Sequence, residues 1–187
     1  MFCIGCEMLG TEHRKYDWLY LIDEVRRVYK GKIIYNTNHG HEDDQEWFDT
    51  LDYIGTSAYY PVGGESRTYE EMYKNWMKVR CHLDAIAKDR NKQYVFMEIG
   101  CRSVKEASTH PWDFMEDLIW DENEQANFIK SCYDVFLPSS YFAGVFWWDW
   151  PTVSYIDRKA AEQDKGFSIH LKKAEKIMKD YARKFSK

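Results

Sequence analysis

Apolar positions along the chain recur with two periods. Residues 2–7 (Phe2-Cys-Ile-Gly-Cys-Glu7) and 94–98 (Tyr94-Val-Phe-Met-Glu98) are β-rich apolar runs, each closed by a carboxylate. Residues 32–38, 53–60 and 142–150 read as three further strands, the second of these ended by Pro61 and the last too apolar to be an edge. Between these runs the period changes to 3.6. Apolar residues at 18, 21, 22, 25, 28 and 29 predict a helix stopped near Gly31, and a short helix is expected over 43–51. Thr68 and Glu71 form a capping box opening a helix over 68–90, with a stripe of Met72, Trp76, Val79, Leu83 and Ile86. Ala126, Ile129, Cys132, Tyr133 and Phe136 mark a helix over 122–136. A basic helix over 168–185 closes the chain; its Lys- and Arg-rich stretch, 172–187, reads as a solvated face with a stripe at Ala174, Ile177, Met178 and Tyr181.

The order is β-α repeated five times, which gives a parallel sheet with right-handed crossovers. No Gly-x-Gly-x-x-Gly or Gly-x-x-x-x-Gly-Lys-Ser/Thr follows any strand, so a phosphate cradle is lacking. Polar or aromatic residues close every strand instead: Glu7, Asn36 and Asn38, Tyr59 and Tyr60, Glu98, and residues 147–150. In an α/β barrel the C-terminal strand tips and the loops after them carry the chemistry. Two strand-end glutamates suggest a carboxylate pair.

Composition narrows the classes. At 187 residues the chain fits one domain, 1–187, but falls short of the roughly 250 residues of a complete eight-stranded βα barrel. Lys plus Arg number 26 against 31 Asp plus Glu, a net charge of -5, which argues against nucleic acid as a partner. Apolar runs are far shorter than a membrane span, and no leader is recognisable, so a cytoplasmic, soluble protein is expected. Aromatics make up 17% of the chain, with 8 Trp and 14 Tyr; sugar-stacking surfaces and a large aromatic core account for this equally well. The five cysteines, Cys3, Cys6, Cys81, Cys101 and Cys132, are expected to be free and mostly buried in a reducing compartment. Cys3 and Cys6 have the spacing of a redox or zinc half-site, but strand alternation turns them to opposite faces. No metal and no cofactor is expected. His39, His41 and Glu42 have the composition of a metal cluster and are read as solvated loop residues; His110, near Trp112, is either a sugar-subsite or a loop residue.

Glu at the ends of the first and fourth strands, Tyr at the end of the third and Trp at the end of the fifth resemble strands four, six, seven and eight of the clan A glycoside hydrolases. Within that clan the sequence is most similar to the family 113 β-mannanases. The matching pieces are Ile4-Gly-Cys-Glu7, Trp18-x-x-Leu-Ile-x-x-Val-Arg-x-Val-Tyr29, Leu51-Asp-Tyr-Ile-Gly55, Ala58-Tyr-Tyr-Pro61, Phe96-Met-Glu-Ile-Gly100, Gly144-Val-Phe-Trp-Trp148 and Gly166-Phe-Ser168. They follow the family's order along nearly the whole chain. The resemblance implies a partial (β/α)8 TIM barrel, with five parallel strands corresponding to strands four to eight. It also implies a retaining endo-β-1,4-mannanase-like hydrolase, with Glu7 as acid/base and Glu98 as nucleophile. Repulsion between the two carboxyls, together with desolvation, is expected to push their pKa values apart. Tyr59 or Tyr60 donates to the nucleophile, Tyr60 being preferred for its place beside Pro61. Asn36 or Asn38 binds a sugar hydroxyl or orients Glu7. Trp147 or Trp148 floors the subsite of the reacting sugar, and Trp150 adds to substrate binding.

Cys6 stands before Glu7 where many clan A enzymes carry Asn. The resemblance begins at the barrel's fourth strand, which leaves three expectations: a piece of a longer hydrolase, a homodimer or a complementing N-terminal half, or an open sheet without activity. The expected ligand is a β-linked oligosaccharide or polysaccharide. The competing reading is a non-catalytic carbohydrate-binding module.

Overall fold

The computed structural model describes residues 1–115 and 117–185. The basic stretch expected to reach Lys187 therefore extends past the described residues. Five strands are present: β1 (Phe2–Cys6), β2 (Ile33–Asn38), β3 (Ile54–Ser57), β4 (Tyr94–Ile99) and β5 (Phe142–Trp147). They alternate with α1 (Leu9–Glu12), α2 (Lys15–Val28), a 3-10 turn at Glu46–Thr50, α3 (Tyr69–Asp89), α4 (Glu122–Phe136), α5 (Arg158–Ala161) and α6 (Lys173–Phe185). The strands form one sheet in sequence order, and the pairings of β1 with β2, β2 with β3 and β3 with β4 are parallel. This is the arrangement expected of repeated βα units.

The residues group into two compact units. One comprises Met1–Ala58, Cys81–Glu98 and Ser140–Phe146, the other Tyr59–Arg80, Ile99–Ser139 and Trp147–Lys187. In the first, Trp18 and Ile22 of α2 pack with Ile33 and Tyr35 of β2 and with Trp47, Phe48 and Leu51. Trp18 and Trp47 stack in parallel at 4.8 Å. In the second unit, Trp76 is fully buried with its ring edge-on to Phe128 at 5.2 Å and to Phe136 at 5.5 Å, contacts that add about 1 kcal/mol each beyond area burial. Asp121 caps α4 by accepting from the Asn123 amide.

Several expectations are corrected. β5 lies at the edge of the sheet with Phe146 56% exposed; its apolar composition is that of a strand flanked on both sides, and here one flank has no strand. The helix expected at 43–51 is a 3-10 turn. The third strand stops at Ser57, so Tyr59 and Tyr60 follow it rather than end it. Leu21 and Val28 of α2 are exposed, while Leu19 packs against the core. In the capping box, Thr68 Oγ1 accepts from the Glu71 amide, but the Glu71 carboxylate reaches past Thr68 to the Ser66 and Arg67 amides. Lys172 is not solvated: it precedes α6, is buried, and its Nζ donates to Ser103 Oγ at 2.7 Å and Asp164 Oδ2 at 2.9 Å. Burial pushes its amine pKa down, against the pull of Asp164. The thiols are free, but only Cys101 and Cys132 are buried. Among the described residues no helix is long and apolar enough to cross a membrane.

Candidate active site

The polar cluster sits at the C-terminal ends of β1 to β4, within the first unit. Register pairs Cys6 with Asn36, Asn38 with Ser57, and Ser57 with Glu98. Since paired residues of neighbouring strands share a face and residues i and i+2 do too, Cys6, Asn36, Asn38, Ser57 and Glu98 project from one side of the sheet. Thr37 and Thr56, paired with each other, project from the other side. There each meets a buried carboxylate: Thr37 Oγ1 donates to Glu12 at 3.0 Å and Thr56 Oγ1 to Glu42 at 2.7 Å.

Glu7 follows β1 with φ 53, in the left-handed region that a non-glycine residue occupies at a cost of roughly 1–3 kcal/mol. Two bonds hold it there. Its amide donates to the Asn36 carbonyl at 2.8 Å, and the next amide, of Met8, donates to Tyr35 Oη at 2.8 Å. Tyr35 in turn donates to Glu12, and burial together with that bond raises the phenol's pKa. The strained glutamate is thus braced from β2 by main chain and side chain.

Asn36 is buried, and its Nδ2 donates to Ser57 Oγ at 2.9 Å and to Cys6 Sγ at 3.2 Å. Among the described residues the buried Oδ1 atoms of Asn36 and Asn38 have no hydrogen-bond partner, a condition costing about 1–3 kcal/mol each. Unsatisfied buried amides of this kind call for an explanation other than packing. Cys6 immediately precedes Glu7. Burial raises the pKa of its thiol, the Asn36 bond lowers it, and the charges of Glu7 and Glu98 both raise it.

The loop after β2 differs from its expectation. Glu42 is completely buried and accepts from the Gly40 amide as well as Thr56; His39 is half-buried, and only His41 keeps a solvated character, bonded to Asp44. Burial pushes the His39 imidazole pKa down, against Glu42, Glu7 and its bond to the Ser57 backbone. Composition alone could not show this, because Thr56, the threonine that meets Glu42, comes from another strand. Ser57 and Glu12 were likewise missed. A small polar residue one strand before the second acid was the available signal for Ser57; nothing in the sequence marks Glu12.

The remaining predicted residues belong to the second unit. Tyr59 and Tyr60 are buried, Tyr60 with its ring edge-on to Trp76 at 6.1 Å. Trp147 donates through Nε1 to Tyr133 Oη at 2.7 Å and packs on its ring. Trp148 and Trp150 are 49% and 60% exposed. His110 is exposed and meets Trp112 edge-on. Of the eight tryptophans, Trp18, Trp47 and Trp76 are buried in the core and Trp112, Trp148 and Trp150 are exposed. Among the described residues no group of three or more His, Cys, Asp or Glu is arranged to hold a metal ion.

A parallel βα chain with two acids and a polar fringe at its strand tips has the build of a glycosidase barrel. The sequence matches Glycoside Hydrolase Family 113 over residues 1–172. The chain belongs to that family. Among solved structures it is similar to a GH113 β-1,4-mannanase complex, with 31% identity, TM-score 0.86, and coverage of 98% of this chain and 55% of that one. It is also similar to the GH113 β-mannanase AaManA from Alicyclobacillus acidocaldarius in complex with ManMIm, with 34% identity, TM-score 0.85, and coverage of 100% and 55%. A β-glucuronidase from Faecalibacterium prausnitzii, at 14% identity and TM-score 0.61 over 90% of this chain and 28% of that one, shares the fold alone. The comparison with curated proteins finds no match. The chain spans 55% of the length of the mannanases it resembles, and its five parallel strands and helices form a partial (β/α)8 barrel.

Proposed function

We propose that residues 1–187 form a single glycosidase-like domain, equivalent to strands four to eight of the barrel, that hydrolyses β-1,4-linked mannan-type oligosaccharides with retention of configuration. Glu98 attacks the anomeric carbon while Glu7 protonates the departing oxygen; Glu7 then takes a proton from the water that releases the sugar from Glu98. The observation that carries this reading is the strand-tip geometry: Glu7 follows Cys6 at the end of β1, its amide bonded to the Asn36 carbonyl, and Glu98 is in register with Ser57, which the Asn36 side chain also meets, on the sheet face where the Oδ1 atoms of Asn36 and Asn38 have no hydrogen-bond partner among the described residues. Asn38 is assigned to a sugar hydroxyl. The roles of Tyr59, Tyr60, Trp147, Trp148 and Trp150 are supported by the family resemblance, with exposure favouring Trp148 over Trp147 as the stacking surface. The exposed free thiols Cys3, Cys6 and Cys81 fit a reducing, cytoplasmic setting. The test is turnover of an aryl β-mannoside and labelling by a fluorosugar inactivator. Glu98→Ala should lose at least about a thousandfold in kcat, with the label on Glu98 of the parent; an equally active, unlabelled variant overturns the assignment.

A second reading is supported by the sheet edges. β1 and β5 are both outer strands. A cavity of about 350 Å³ is lined by Met1, Lys32 and Tyr53 together with Val95 of β4 and Val145 and Phe146 of β5. On this reading the chain binds β-linked saccharide without cleaving it until a second copy or a complementing N-terminal half covers these edges. Calorimetry with mannooligosaccharides separates the two: heat of binding without released product supports the second, product release by the chain alone supports the first.

A further inference from the structure

We infer that Asn36 is a positioning residue whose side-chain amide sets the spacing of the strand ends bearing Glu7 and Glu98. The inference rests on the reading of those two acids as the reacting pair. Asn36 stands on β2, between β1 and β3. Both protons of its amide nitrogen are engaged, one with Ser57 Oγ on β3 and one with Cys6 Sγ on β1. Cys6 immediately precedes Glu7, and Ser57 is the register partner of Glu98. The Asn36 carbonyl meanwhile accepts the Glu7 amide at 2.8 Å. One buried residue thus touches the chain beside each acid and bonds directly to the backbone of one of them.

The residue type suits the task. Among short uncharged side chains, only asparagine puts two diverging donors on one rigid planar group. Leucine would fill the space without tying the strands, and aspartate would offer acceptors where donors are used. Retention needs the carboxyls roughly 5–5.5 Å apart, and a misplacement of about 1 Å costs on the order of a hundredfold in rate. A tether between strand ends acts on that distance without touching the sugar. Its loss should lower kcat and leave KM nearly unchanged.

Cys6 supplies a reporter independent of turnover, because its thiol responds to burial, Asn36, Glu7, Glu98 and Cys3. In the full chain, iodoacetamide labelling of Cys6 is followed against pH by peptide mass spectrometry, which separates it from the exposed Cys3 and Cys81. Glu98→Gln should speed labelling at a given pH by removing a negative charge; Asn36→Ala should slow it about twofold or more by removing a donor to the thiolate. In hydrolysis of a β-1,4-mannooligosaccharide, Asn36→Ala should lose about a hundredfold in kcat with KM within about threefold. Adding Cys6→Ala to Asn36→Ala should cost less than Cys6→Ala costs the parent, because the bond the two residues share is already gone. If Asn36→Ala does not fold, Ser57→Ala, which removes one of the two acceptors, carries the same measurements. Unchanged Cys6 labelling together with unchanged kcat in the Asn36 or Ser57 variant overturns the inference. A parent chain that labels as expected but releases no product refutes the hydrolase reading instead, and the labelling profiles still decide the tether.

Discussion

At the opposite end of the strands from the acids, Asp52 should control acid stability, and its replacement by asparagine isolates the effect. The Asp52 carboxylate accepts from the Ile33 amide at 2.8 Å, from Arg26 at 2.6 Å and from Lys32 at 3.1 Å, tying α2 to the start of β2. Burial pushes its pKa up, but the Ile33 amide, Arg26 and Lys32 outweigh that and hold it at about 2, against an ordinary 3.8. At about 1.4 kcal/mol per tenfold, that difference corresponds to about 2 kcal/mol. The side chain is 19% exposed, so its interactions are only weakly screened on its account; Lys32, 63% exposed, contributes the part that salt removes. Because the folded pKa is depressed, the stabilisation is complete above pH 3.8 and disappears as pH falls through about 2. Urea denaturation followed by far-ultraviolet circular dichroism should show Asp52→Asn about 2 kcal/mol less stable at pH 7. The gap should close between pH 4 and pH 2. A gap that keeps its size at pH 2.5, or one below about 0.5 kcal/mol at pH 7, refutes the reasoning.

Three further substitutions probe the strand tips of the second unit. A Cβ on Gly100 would stand 2.4 Å from the Trp148 carbonyl oxygen and 2.8 Å from the Phe167 ring, so Gly100→Ala must displace backbone and should cost about 1–3 kcal/mol, read as a lowered Tm. Trp147→Ala should also lower Tm, through its lost bond and ring contact with Tyr133. Trp148→Ala, at a side chain half in solvent, should leave Tm within about 1 °C and weaken mannooligosaccharide binding, measured by calorimetry. The reverse pattern for the two tryptophans would assign the stacking surface to Trp147.

What the sequence made legible follows from where each signal resides. The βα alternation, the strand tips Glu7 and Glu98, and the helices Tyr69–Asp89 and Glu122–Phe136 were readable because a period of 2 or 3.6 is a local property, and an acid that ends an apolar run interrupts it visibly. Ser57 was not readable as a site residue. Its meaning arises from register with Glu98 and from the reach of Asn36 across β2, and register is a relation between strands separated by helices. Glu42 and Lys172 misled for the opposite reason: both are charged and lie in polar stretches, so composition assigns them to water. Their burial goes with particular partners outside their own polar stretch: Thr56 of β3 for Glu42, and Ser103, 69 residues away, together with Asp164 for Lys172.

The edge position of β5 joins these observations. A strand as apolar as Phe142–Trp147 normally has neighbours on both sides, and an unpaired apolar edge invites addition of another strand. The bonds of Asn36 span β1 to β3 and do not involve β5, so the positioning inferred for Asn36 does not depend on cover of that edge. A complement that closes the sheet should therefore raise stability and saccharide affinity without supplying the Asn36 bonds.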